Sequence, residues 1–272
     1  MKFTTTIFLA LFSISSCAHA ALKVSCSMFP VYDFTREITA GSAEVSLLLR
    51  QGTDPHEFEP SPMDIKALHD ADVFVFTGRN MEHWAGRIAD TLDSTAIIDA
   101  SDGITITGND PHVWLDLNLA QKMVMNIALG LCRADPSNAD TYTSNAKAYC
   151  EKLASLDAQF MALDHTKPLV FIGEFSYGYF IGRYGFEYIS AFEGENEPGI
   201  KRMAEVIRYI RDNKIRFVLA DNPPLHQVTL AICEQSGAQV LTFSSAHNVP
   251  PESSFLQLMN DSFNSITRFL ND

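Results

Sequence analysis

DPSNADTYTSNAKAYCEKLASLDAQFMALDH, residues 135–165, decides the fold. After the Asp-Pro-Ser-Asn turn, apolar residues recur at Tyr142, Ala146, Tyr149, Leu153, Leu156, Phe160 and Leu163. Steps of three and four put them on one face of a helix. About 25 helical residues reach roughly 37 Å at 1.5 Å per residue. On both sides of this rod, short apolar, β-branched runs alternate with segments of helical period, the pattern of an α/β protein. Strands are expected at 23–28, 44–49, 72–77, 96–99, 168–172, 186–191, 216–220 and 239–243. Helices are expected at 31–39, 62–70, 81–92, 118–132, 175–184, 200–213, 225–236 and 254–270. The rod therefore reads as a stiff connector, 139–164, between an N-terminal lobe, 21–138, and a C-terminal lobe, 165–272, each with a mainly parallel sheet flanked by helices. No Gly/Ser-rich or Pro-rich linker, solenoid repeat or low-complexity tract interrupts it.

The 272 residues are 46% hydrophobic, enough for a packed core. Asp and Glu outnumber Lys and Arg by 33 to 20, a net charge of −13. Such a balance disfavours nucleic acid and anionic membrane surfaces as partners and favours cations or neutral partners. Residues 1–20, MKFTTTIFLALFSISSCAHA, have one Lys, an apolar run at 7–12 and then small residues, as a secretory signal peptide does. Ala18-His19-Ala20 is its expected cleavage site, while Ile14-Ser15-Ser16-Cys17 also resembles the site at which a lipoprotein is cut and its Cys acylated. The expected location is periplasmic or extracytoplasmic, with or without a lipid tether at Cys17. Cys26, Cys132, Cys150 and Cys233 contain no C-x-x-C pair, which argues against thiolate metal sites. An oxidising compartment allows Cys132 and Cys150 to bridge neighbouring helices.

Asp-Pro-His occurs twice, in GTDPHEFEP at 52–60 and NDPHVWLD at 109–116. Each Pro holds φ near −65° and presents the following His from a pre-set turn. His56 and His112 both follow first-lobe strands, and ligands of parallel sheets collect beyond the strands' carboxyl ends. Neutral imidazole is the commonest protein metal ligand, although either His taken alone reads first as a surface turn residue. In VFIGEFSYGYF, 170–180, Glu174 is the first charged residue after an apolar strand, placed either to face the two histidines across a cleft or to meet a helix N-terminus. Asp221 in ADNPP, 220–224, stands at another strand end, where ligation and turn formation are both open. His69 and His83 read as surface residues.

GTDPHEFEPSPMDIKALHDADVFVFTGRNMEHW, NDPHVWLDLNLA, GEFSYGYFIGRYGF and FEGENEPGIKRMAEVI together resemble the metal-receptor family of ABC importers for zinc, manganese or ferrous iron. The similarity runs from about Val24 to the closing helix. It implies two α/β lobes on a rigid backbone helix, one divalent transition-metal ion between them, and His56, His112 and Glu174 as its ligands. Zinc relatives usually have His where this chain has Glu174, so the resemblance favours Mn or Fe(II). The absence of His from 101–109 points the same way. Many relatives supply an Asp after the last strand, where this chain has Ser244, leaving Asp221, Ser244, His247 or a water for the fourth position. Any such site still binds zinc more tightly than manganese, so selectivity depends on geometry. Asp54 and Asp110 fit either turn formation or the orientation of the imidazoles. The implied partner is the membrane permease of an ABC importer, the expected state a monomer, and the protein no enzyme. H-E-x-x-H is missing, which weakens a secreted metallohydrolase, and a surface adhesin with a structural metal is the other alternative.

Overall fold

The computed structural model describes residues 20–50, 53, 55–108, 110–173, 176–193, 196–247 and 249–272. The chain runs β1 (Leu22–Cys26), α1 (Phe29–Thr39), β2 (Ala43–Leu47), α2 (Pro62–His69), β3 (Val73–Phe76), α3 (His83–Ala89), β4 (Ala96–Asp99), α4 (Leu117–Ala134) and α5 (Ala139–Met161). It continues with β5 (Leu169–Phe171), α6 (Gly178–Tyr184), β6 (Tyr188–Ser190), α7 (Ile200–Asp212), β7 (Phe217–Ala220), α8 (Gln227–Ser236), β8 (Gln239–Thr242) and α9 (Phe255–Leu270). Two parallel sheets result, ordered β2-β1-β3-β4 and β6-β5-β7-β8. Numbered from its own first strand, each has the same order. The inner strands β3 (VFVF) and β7 (FVLA) are buried at every residue, as strands covered by helices on both faces must be.

All eight expected strands form: β4 with the expected bounds, β1 and β2 starting one residue earlier and ending two earlier, and the other five shorter by one to three residues. The connector is the 23-residue α5, about 35 Å long. Its buried residues are Tyr142, Ala146, Tyr149, Leu153, Leu156 and Phe160, the periodic set without Leu163. That face packs on α1, α4 and α9. The last helix thereby returns to the first: Phe255 sits edge-on to Phe34 at 4.9 Å, and its N–H donates to Asp33 Oδ2 at 2.9 Å. One continuous core extends from Val24 to Phe269, so both sheets share it through α5. Among the described residues no helix is long and apolar enough to cross a membrane.

Two expectations need correction. Cys132 and Cys150 are free thiols. In the α4–α5 pair, Cys132 Sγ lies 3.4 Å from Ala139 O and Cys150 Sγ 3.6 Å from Gln121 O. Gln121 and Cys132 are eleven residues apart on α4, roughly 16 Å along its axis, beyond the reach of a disulfide. The helix expected from 175 starts at Gly178, because Tyr177 is drawn into the core and its hydroxyl donates to Phe243 O at 2.8 Å.

Candidate metal centre

His56 stands in the turn that follows β2 and Pro55, half-buried; His112 follows β4 and Pro111 and is 5% exposed. Their Nε2 atoms are 3.3 Å apart and their ring centroids 5.2 Å apart. Two nitrogens bound to one tetrahedral zinc at about 2.05 Å stand roughly 3.3 Å from each other. The two rings therefore already have the spacing that a shared ion requires. Asp110 sets the direction of His112: its Oδ1 accepts from the His112 N–H at 3.0 Å and faces ring Nδ1 at 2.7 Å. A carboxylate on Nδ1 leaves Nε2 as the coordinating nitrogen.

A third imidazole stands beside the pair. His247, in the segment after β8, has its centroid 5.7 Å from that of His112 and 6.3 Å from that of His56. The segment is held from both lobes. Asp221, just past β7, accepts from Ser245 N–H through Oδ1 at 3.0 Å and from Ser245 Oγ through Oδ2. Ser244 Oγ accepts from Asn222 Nδ2 at 2.5 Å and from Ala246 N–H at 3.0 Å. The fully buried Trp114, two residues after His112, donates its indole N–H to Ser245 O at 2.7 Å. Ala246 itself lies at φ 60°, a left-handed backbone that costs a residue with a side chain about 1 kcal/mol or more. Asp221 and Ser244 are thus committed to shaping the loop, and of the protein candidates for the fourth position His247 is the one brought to the pair. Sequence reasoning left a turn-forming role for Asp221 open and missed the work of Trp114.

Glu174 and Asp54 lie outside the described residues, as do residues 1–19 of the expected signal segment, Cys17 among them. Gly173, the neighbour of Glu174, lines a cavity of about 200 Å³ together with Asp221, Asn222, His226 and His247. Among the described residues, no three His, Cys, Asp or Glu groups yet close on one point as a finished ligand shell. His69 and His83 are exposed, whereas His226 caps α8 by accepting from Val228 N–H and pairs with Glu197 at 3.1 Å.

Other contacts clamp the lobes beside the histidines. Thr107 N–H donates to Tyr179 Oη at 2.8 Å, and Gly178 packs so closely on Asp110 that a Cβ there would overlap Oδ2. Arg183 pairs with Asp157 at 2.6 Å and reaches Asp116 at 3.6 Å. Burial raises the Asp116 carboxyl above its ordinary range, against the opposing pull of the α4 N–H groups and Arg183.

Two parallel-sheet lobes on a long helix, with imidazoles from both meeting between them, define a two-lobed binding protein of the rigid-connector class. The comparisons with known proteins agree. The chain belongs to the ZnuA family, whose model, described as zinc-uptake complex component A, periplasmic, matches residues 24–269. It is 31% identical over 258 residues to the zinc-binding lipoprotein AdcA of Streptococcus pneumoniae, covering 86% of this chain and 52% of that protein. The chain thus spans about half the length of the first curated relatives it matches. Against the high-affinity zinc uptake system protein ZnuA of Bacillus subtilis it is 27% identical, over 85% of this chain and 80% of that one. The crystal structure of the Zn(II)-bound ZnuA-like domain of S. pneumoniae AdcA superposes with a TM-score of 0.80 at 28% identity, covering 93% of this chain and 100% of the other. The laminin-binding protein Lmb of Streptococcus agalactiae, described as bifunctional with adhesin and metal transporting activity, gives 0.80 at 26% identity, covering 92% and 100%.

Proposed function

We propose that this protein captures one divalent transition-metal ion between lobes 21–138 and 165–272, joined by 139–164, and delivers it to the membrane permease of an ABC importer. His56 and His112 are its first-lobe ligands and Glu174 a second-lobe ligand. The observation that carries this reading is the 3.3 Å Nε2 separation, the edge of a shared coordination shell. Zinc is the ion we take as native. The preference for Mn or Fe(II) rests chiefly on Glu174, whereas the relatives named above are zinc-binding and a majority of imidazoles suits zinc. The role is receptor and not enzyme, and the family to which the chain belongs supports this. Residues 1–20 direct export, with cleavage before Ala21 or lipid attachment at Cys17, and the receptor works as a monomer.

The α5 rod gives the function a physical form. A stiff connector and a shared core restrict the lobes to small shifts, so release depends on local movement of the ligand loops. Thermal melting of metal-free protein with zinc, Mn and Fe(II) provides the test. Zinc is expected to raise Tm, and His56→Ala or His112→Ala to abolish most of that gain. A wild-type melting curve unmoved by all three ions defeats the proposal. The likeness to Lmb favours a second activity, adhesion. Laminin binding by the His112→Ala protein would establish it as separate from metal capture.

A further inference from the structure

We propose that His247 supplies a third imidazole to the captured ion, in place of the carboxylate expected after the last strand, and that this exchange tunes the site for zinc over manganese. The inference rests on the metal-receptor reading above and adds to it a ligand and a basis for selection.

Geometry is the first support. Imidazoles bound to one tetrahedral zinc have centroids roughly 5.2 Å apart. His56 and His112 stand at 5.2 Å, while His247 stands 5.7 and 6.3 Å from them. Closing the third ring onto the ion takes a movement of about 1 Å, within the range of side-chain rotation on a fixed backbone.

The backbone is fixed. Asp221 accepts from both the N–H and the hydroxyl of Ser245, Trp114 of the opposite lobe donates to Ser245 O, and Ala246 is held in a left-handed conformation immediately before the ring. Strain of this kind persists only where surrounding bonds over-determine it, and here it aims His247. Topology adds a second support. His112 follows the fourth strand of its sheet and His247 follows the fourth strand of the other, so both lie in segments that leave the same edge strand in sheets of equal order. The ligand at each is an imidazole.

Selectivity follows from donor type. Imidazole suits zinc, whereas manganese is better served by carboxylate and water oxygen. Exchanging an oxygen donor for nitrogen therefore lowers manganese affinity more than zinc affinity.

The test compares wild type, His247→Ala, His247→Asp and His112→Ala, each checked by far-UV circular dichroism and metal-free melting. Zinc and manganese affinities are measured by competition with a chromophoric chelator, and the imidazole count by X-ray absorption of the zinc-loaded protein. The wild type should show three imidazoles. His247→Ala should show two and bind zinc more than about 100-fold less tightly, beyond the roughly 10–100-fold that loss of an orienting neighbour costs. His247→Asp should keep zinc and narrow the zinc-to-manganese ratio by at least about tenfold. Zinc affinity of His247→Ala within about threefold of wild type, with an unchanged imidazole count, overturns the ligand assignment while leaving the receptor reading intact. An unchanged metal ratio in His247→Asp overturns the selectivity claim. Failure of the wild type to bind zinc, or indifference to His112→Ala, instead removes the receptor reading itself.

Discussion

The two lobes share a strand order but aim their histidines by different means. In the first, proline precedes both His56 and His112, and one oxygen of Asp110 serves the backbone and the ring of His112, two residues away. In the second, no proline precedes His247. Its loop takes shape from Asp221, 24 residues before Ser245, and from Trp114, 131 residues before it. A side chain set by covalent geometry is ready before the lobes meet, whereas one set by distant hydrogen bonds depends on the assembled molecule. The difference predicts which substitutions disturb the site alone and which disturb the fold with it.

Each lobe also places a carboxylate beyond its third strand, and these offer the largest expected effect. Glu82 is buried and accepts from the Thr77 and Gly78 N–H groups, at 2.8 and 3.2 Å; burial outweighs these bonds and raises its carboxyl from 4.5 to about 7. Between those values the folded protein holds a proton that the unfolded chain has released, so stability is full below about 4.5 and declines as pH rises through about 7. Asp33, raised to about 6 by burial, acts in the same direction. Glu82→Gln should remove its share of the decline, on the order of 3 kcal/mol at pH 8 and none at pH 4. Urea unfolding at both values checks this, and parallel pH profiles for wild type and variant would refute it.

Next in size is Asp221→Ala, which leaves the Ser245 N–H and hydroxyl without their acceptor. A loss of about 2 kcal/mol in metal-free stability is expected, together with weaker metal binding. Asp110→Ala, by contrast, should weaken metal about 10–100-fold with little change in metal-free stability. If both variants affect stability and affinity in the same proportion, the contrast between the lobes is wrong.

The smallest effect sharpens the contact between lobes. Gly178→Ala inserts a Cβ against Asp110 Oδ2 and should shift the carboxylate that orients His112. Metal affinity should fall by up to about tenfold, the low end for an orienting neighbour. Isothermal titration of Gly178→Ala, alone and combined with Asp110→Ala, decides whether the effect passes through Asp110. If it does, the two losses will not add.

Much of this molecule was legible before any coordinates. The eight strands, the long helix and the two Asp-Pro-His turns were readable because periodicity and proline stereochemistry act within a few residues. Tyr149 and Phe160 reported the buried face of α5 directly. The convergence of His56 and His112 was also expected, since parallel strands end at a common edge. His247 was left among several candidates because its position depends on Asp221, Trp114 and the pairing of β7 with β8. The Cys132–Cys150 bridge that the sequence allowed is not made, for a related reason: an antiparallel register sets which residues of two helices meet, and composition does not report it. What the chain determined by itself was what neighbours along it impose; what only the tertiary structure decided was what residues 24 to 222 positions apart impose on one another, because such bonds exist only once the core has closed.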